Sequence, residues 1–196
     1  MQVSHKSGNF KMKRRFFLQR TGVLAGGLLL HNQVTKAIAA EAPPLRIAVI
    51  GCGDRGTGLL RSMQPLSHLF KVTALCDVLD FRLANAKKIL GDDKCEAYTD
   101  FKQLMQSQNV DAVIISVTLS EHFRVARAAL LAGKHIYLEK TMTYNIPQAL
   151  ELTRLKKSRP VLVLQVGHQY RYTLLYFKVK DMIQTGYLVK VTQIDC

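Results

Sequence analysis

Residues 46–50, Arg-Ile-Ala-Val-Ile, run straight into Gly-Cys-Gly-Asp-Arg-Gly at 51–56, so an apolar strand breaks into a G-x-G-x-x-G turn. Few folds tolerate that arrangement. Gly51 permits the tight turn out of a buried strand, Gly53 lets the backbone approach a pyrophosphate, and Gly56 lets the following helix pack close to the strand. The start of that helix offers free backbone N–H groups and the positive end of its dipole to phosphate oxygens. Asp54 and Arg55 complete the turn and belong to the same candidate binding set. A second apolar strand follows at Phe70–Leu75, and Asp77 stands just past its end, 21 residues after Gly56. A carboxylate there accepts hydrogen bonds from both ribose hydroxyls of an adenosine and repels a 2′-phosphate, which favours NAD over NADP. The bland alternative is a glycine turn beside a solvated surface aspartate.

Beyond this turn, residues 45–166 alternate apolar strands with amphipathic helices, the pattern of an α/β domain built on a doubly wound parallel sheet. A short helix runs from Gly56 to about Met63 and stops at Pro65. Asp80 opens a helix that closes at Gly91, and Asp100 caps a short one carrying Phe101, Leu104 and Met105. Val110–Val117 is nearly all apolar and β-branched, as a central parallel strand should be. Glu121–Ala132 reads as a helix stopped by Gly133, His135–Leu138 as a strand, and Asn145 as the cap of a helix with Pro147 in its first turn, running to about Lys157. Val161–Val166 is the last strand of this series. A helix over Leu174–Thr185 ending at Gly186 and a final strand at 190–194 come after it.

The first 39 residues read as an address. Lys13-Arg-Arg-Phe-Phe-Leu18 has the twin-arginine pattern, 21–35 is uncharged and rich in Gly, Ala and Leu, and Ala37-Ile-Ala39 places small residues for cleavage after Ala39. The expectation is export of a folded protein to the periplasm, with an uncleaved membrane anchor as the alternative. The apolar run is too short for a permanent span. Of the 28 Lys and Arg in the chain, seven lie in residues 1–39, which leaves 21 against 14 acidic residues, a net +7. No basic helix interleaved with aromatics accompanies that charge, so the sequence gives no reading of a nucleic-acid partner. The four cysteines form no C-x-x-C pair, and neither a disulfide framework, a metal site nor a redox pair is expected. Because Cys196 falls within the expected final strand, residues 167–196 read as the start of a second α/β domain in a chain that stops short of it.

With this pattern laid out, residues 45–196 resemble the glucose–fructose oxidoreductase, inositol dehydrogenase and rhizopine-catabolism family (Gfo/Idh/MocA). The resemblance rests on Gly-Cys-Gly-Asp-Arg-Gly, Cys76-Asp77-Val78, Ala97–Phe101, Asp111–Ile115, Ala132-Gly-Lys-His135, Glu139-Lys140 and Val166–Arg171. The Ala-Gly-Lys-His-x(3)-Glu-Lys run is its most specific part. It implies a dinucleotide domain followed by an α/β domain whose open sheet packs on a partner subunit, with a sugar or polyol bound between the domains.

Lys140 is the candidate catalytic residue. It follows a parallel strand and so projects at the carboxyl edge of the sheet, where doubly wound folds bind ligands. A lysine beside a reacting hydroxyl either removes its proton as the neutral amine or stabilises its oxygen as the ammonium. A solvated lysine at a strand end is the alternative. The resemblance places Lys140 beside substrate and nicotinamide and Glu139 on the cofactor side. His122 keeps the family's position near the nicotinamide ribose, as a cofactor neighbour or as a helix-cap histidine. His168 and Arg171 match the crossover into the second domain, where Arg171 binds substrate or holds an interdomain turn by an ion pair. The family's proline after Glu-Lys is Thr141 here, its Thr-Pro-Asn-x-x-His is Val117-Thr-Leu-Ser-Glu-His122, and its Gly-x-x-Gly-Lys is Gly186-Tyr-Leu-Val-Lys190. The expected activity is NAD(P)-dependent oxidation of a sugar or polyol by a homo-oligomer. Two alternatives stand: a glycosidase that oxidises the sugar transiently, and a dinucleotide-binding fragment without activity.

Overall fold

The computed structural model of the protein describes residues 43–188, 190 and 192–193. Six strands, β1 (Leu45–Ile50), β2 (Phe70–Cys76), β3 (Glu96–Tyr98), β4 (Ala112–Ile115), β5 (His135–Leu138) and β6 (Leu164–Val166), form one sheet in the order β3-β2-β1-β4-β5-β6. Every pairing is parallel. The helices are α1 (Asp54–Met63), α2 (Asp80–Leu90), α3 (Phe101–Leu104), α4 (Leu119–Leu131), α5 (Ile146–Lys157) and α6 (Leu174–Gln184). Strand order reverses between β1 and β4. The carboxyl ends of those two strands therefore open a crevice, the place where sheets of this kind take their ligands.

The period-two alternation of the strands divides the core. Ile47 and Val49 of β1, with Ala112 and Ile114 of β4, pack on one face with Leu60 of α1 and Leu83 and Ala86 of α2. Ala48 and Ile50, with Val113 and Ile115, pack on the other with Leu104, Val125, Ala129 and Leu152 from α3, α4 and α5. Beyond β4 the described helices leave part of the first face uncovered, an apolar trough of about 630 Å³ bounded by Leu59, Met63, Ile114, Tyr137, Val163 and Gln165.

Local signals in the sequence set the helix ends. The Asp100 carboxylate accepts from the Lys102 N–H at 2.9 Å, and the Asn145 side chain accepts from the Gln148 N–H at 3.1 Å. Gly91, Gly133 and Gly186 follow helices with φ of 68°, 74° and 74°, a left-handed conformation in which glycine carries no Cβ penalty. Several elements differ from the sequence reading: α1 and α4 begin at Asp54 and Leu119 rather than at Gly56 and Glu121. β4 covers Ala112–Ile115 rather than 110–117. β6 begins at Leu164 rather than Val161, because it is an edge strand and Val161 and Val163 face solvent. β3 has no counterpart in that reading, since three residues are too few to show a period; parallel pairing with Ala74–Cys76 makes them a strand. Of the expected final strand at 190–194, positions 191 and 194 lie outside the described residues, and Lys190, Thr192 and Gln193 belong to no strand.

The opposite, amino edge of the sheet is architectural. Arg46 grips Asp111 through Nη2–Oδ1 at 2.6 Å and Nε–Oδ2 at 2.9 Å, which holds the Asp111 carboxyl below its usual range. Lys134 is buried and donates to the carbonyls of Ser107 and Val110, both at 2.8 Å. Burial lowers the pKa of its ammonium, and Asp111 opposes that shift. The Ala-Gly-Lys-His run thus ties loops together at the edge remote from the crevice.

Candidate cofactor and active site

The turn at 51–56 is built from backbone constraints. Gly51 has φ 91°, and a Cβ on it would lie 2.5 Å from the Ser116 carbonyl oxygen at the end of β4. A Cβ on Gly56 would lie 1.9 Å from the Gly51 carbonyl oxygen, so α1 can approach the strand only through glycine. Gly53 differs. Its φ of −72° suits any residue, and a Cβ there would meet nothing nearer than the Arg82 guanidinium at 3.7 Å. The protein's own packing does not require glycine at 53; the open space beside it is the cradle a pyrophosphate would occupy. The Thr57 N–H is the first of α1 to bond inward, to Gly53 O at 2.9 Å, which leaves the preceding N–H groups for a ligand. The turn is closed from β4 by Ser116, whose Oγ donates to Gly51 O at 2.7 Å.

Asp77 is buried and lies across the turn, its Oδ2 accepting from the Cys52 N–H at 2.7 Å and its Oδ1 from the Leu79 N–H at 3.0 Å. These contacts fix the carboxylate at the crevice and brace the glycine turn as well. Arg82 Nη1 stands 3.9 Å from Asp77 Oδ2. The sequence reading missed this neighbour, although a residue in the first turn of the helix after β2 must rise at the same sheet edge as Asp77. Gly51, Gly53, Asp54, Arg55, Asp77, Arg82 and Arg124 line one cavity of about 380 Å³, while Gly56 is packed beneath it. Burial, with Asp77 adding to it, pushes the Cys52 thiol up to about 12. It stays protonated in the turn and is no nucleophile.

At the end of β5 the Glu139 carboxylate is buried beside an exposed Lys140. Glu139 Oε1 accepts from Arg55 Nε at 2.7 Å and Nη2 at 2.5 Å, and the Tyr137 hydroxyl donates to it at 3.4 Å. Glu139 Oε2 accepts from the Lys140 N–H at 3.2 Å, and Arg55 also reaches Gln169 Oε1 at 3.0 Å. Gly167 is dictated by the same cluster, since a Cβ on it would lie 2.6 Å from the Tyr137 hydroxyl. No hydrogen bond or ion pair among the described residues holds the Lys140 ammonium. The Lys140–Thr141 peptide is cis.

His122 is buried in α4, with Nδ1 2.7 Å from Thr141 O and Nε2 3.2 Å from Val117 O. It caps no helix, since Thr118 is the N-cap residue of α4. Instead it fastens the β4–α4 turn to the segment after Lys140. Arg55, His122, Glu139, Lys140 and Gln169 share a cavity of about 390 Å³. Lys140, His168 and Arg171 share an adjoining one of about 210 Å³. The fold therefore gathers Gly51, Gly53, Asp54, Arg55 and Asp77 around one cavity at the β1/β4 crevice, and His122 and Glu139 with Lys140 around the next, beside His168 and Arg171.

Comparison with known proteins identifies the family and the fold. Residues 45–168 match the family described as "Oxidoreductase family, NAD-binding Rossmann fold", Gfo/Idh/MocA. The chain is 28% identical over 158 residues to an inositol 2-dehydrogenase/D-chiro-inositol 3-dehydrogenase of Lactiplantibacillus plantarum, covering 80% of this chain and 44% of that protein. A scyllo-inositol dehydrogenase from Lactobacillus casei, solved with NAD(H) and scyllo-inositol, superposes with a TM-score of 0.70 at 26% identity, over 76% of this chain and 43% of that one. A glycosyl hydrolase family 109 protein of Shewanella amazonensis is 30% identical over 131 residues, covering 62% of this chain and 28% of that protein. The chain thus spans less than half the length of the curated relatives it matches.

Proposed function

The chain belongs to the Gfo/Idh/MocA oxidoreductase family, and from that premise we propose that residues 45–166 bind NAD in a homo-oligomeric dehydrogenase of a sugar or polyol. Residues from 167 onward open its second domain; α6 carries no buried residue of its own. One observation carries the reading: a phosphate turn with room at Gly53 lies at the β1/β4 switch point, and its Arg55 reaches the Glu139-Lys140 pair. NAD, when bound, supplies the hydride acceptor. Lys140, as the neutral amine, would take the hydroxyl proton of the carbon that loses hydride and hold the oxygen as the carbonyl forms, leaving the lysine protonated. Glu139 fixes the Lys140 backbone through its N–H. His168 and Arg171 line the substrate side.

The test is turnover by the full-length protein. Reduction of NAD by inositols or sugars supports the reading. Release of an aryl group from an aryl glycoside without net NAD reduction would replace it with the glycosidase chemistry of the family 109 relatives, which the similarity to the Shewanella protein keeps in view.

The choice between NAD and NADP rests on Asp77 and Arg82 together. The buried carboxylate repels a 2′-phosphate, whereas the neighbouring guanidinium attracts one. Asp77→Asn, which keeps an acceptor for the Cys52 N–H, should narrow the preference for NAD, and Arg82→Ala should widen it. Calorimetric titration with both dinucleotides reads the ratio; the same ratio in all three proteins would remove the pair from cofactor selection.

Export by the twin-arginine route completes the proposal. The signal and its cleavage site lie outside the described residues, among which no helix is long and apolar enough to cross a membrane. Arg14→Lys/Arg15→Lys should retain the protein in the cytoplasm, and normal periplasmic recovery of that variant would refute the route.

A further inference from the structure

Arg55 belongs to two cavities at once, the one formed by the phosphate turn and the one formed around Lys140. It is the second residue of α1, so its backbone sits where pyrophosphate oxygens would gather, yet its guanidinium is turned away to Glu139 and Gln169. In doing so it crosses from the end of β1, over the end of β4, to the end of β5. That is the line along which a dinucleotide bound at the switch point must extend from its phosphates to its nicotinamide. The two partners are unequally fixed. The Arg55 side chain is 45% exposed, whereas the Glu139 side chain is 7% exposed and is also held by the Lys140 N–H and the Tyr137 hydroxyl.

We propose that Arg55 is a positioning residue that exchanges partners on cofactor binding, giving up Glu139 for the pyrophosphate and thereby freeing the Glu139 carboxylate for the nicotinamide ribose beside Lys140. Two considerations drive the exchange. A doubly charged pyrophosphate at the amino end of α1 offers the guanidinium more negative charge than one carboxylate does, in the geometry that favours arginine–phosphate contacts. A buried carboxylate deprived of its cation needs a replacement donor, and a ribose hydroxyl is the donor a dinucleotide brings to this end of the crevice. In the ligand-free protein Glu139 and the pyrophosphate therefore compete for one guanidinium. Cofactor arrival is coupled to the setting of the segment that carries Lys140.

This inference rests on the reading of the crevice as a dinucleotide site, and the experiment separates the two. ADP, which carries the pyrophosphate but no nicotinamide ribose, is titrated calorimetrically into the full chain and its variants. Arg55→Met should weaken ADP at least tenfold and Arg55→Lys should recover part of that loss. Glu139→Gln should tighten ADP at least threefold, because the competitor for the guanidinium is gone, and should tighten NAD less than ADP. Placed on Arg55→Met, the Glu139 substitution should no longer change ADP affinity. Glu139→Asp, which keeps the charge but draws it back from the guanidinium, should act in the same direction as Glu139→Gln and so guards against misfolding of a single variant. A static brace gives the opposite sign: ADP affinity unchanged or weakened in both Glu139 variants would overturn the exchange while leaving the dinucleotide site standing. Failure of the wild-type chain to bind either ADP or NAD would overturn both.

Discussion

Lys140→Ala in the full-length protein is expected to lower kcat by at least about a hundredfold, the low end of what a positioned acid or base contributes. NAD affinity should change little. The phosphate turn and Asp77 line one cavity and Lys140 another, and the Lys140 ammonium has no partner among the described residues whose loss would disturb the fold. Lys140→Arg should also be poor, since a guanidinium is a rigid planar fork that does not release a proton at neutral pH. Steady-state kinetics together with a separate measurement of NAD binding distinguishes this outcome from general damage. Near wild-type turnover by Lys140→Ala would mean that another residue handles the hydroxyl, and the Thr141 and Thr118 departures from the family pattern would then mark a rebuilt site.

The second large effect falls on stability. Gly56→Ala places a methyl group 1.9 Å from the Gly51 carbonyl oxygen and 2.9 Å from Ser116 Oγ. Neither the turn nor α1 can yield without losing the strand packing behind it, so the substitution should cost about 3 kcal/mol, the upper part of the range for overpacking. Out of a typical total of about 5–15 kcal/mol that is a large share. Gly53→Ala, only three residues away, should leave the urea midpoint nearly unchanged or slightly raised, because its backbone already suits an L residue and a methyl there meets open space. Equal destabilisation by the two variants would show that the turn is not packed as described.

This contrast also shows what the sequence could and could not convey. The Gly-x-Gly-x-x-Gly spacing announces the turn, because the demand for glycine at 51 and 56 is local and steric. The Asn145 and Asp100 caps and the glycine stops at 91, 133 and 186 are legible for the same reason: each is set by a few consecutive residues. Contacts fixed by topology are not. Arg55 and Glu139 are 84 positions apart and meet only because β5 lies two strands from β1. His122 looks in the sequence like a cofactor neighbour or a cap; it is no cap, and the bonds by which it joins two loops beside the Lys140 cavity are set by topology. The most family-specific run divides between opposite edges of the sheet, with Lys134 buried at the amino edge and Lys140 at the carboxyl edge. No periodicity of 3.6 or 2 could have told those two lysines apart.

The most direct test of the central claim is calorimetric titration of NAD into the wild-type chain and into Gly53→Val. The account predicts binding by the wild type and a loss of at least tenfold in the variant, about 1.4 kcal/mol or more, with the thermal midpoint preserved because position 53 has room for a side chain but not for a side chain and a pyrophosphate together. Equal NAD affinity in the two proteins, or no binding by the wild type, would contradict it.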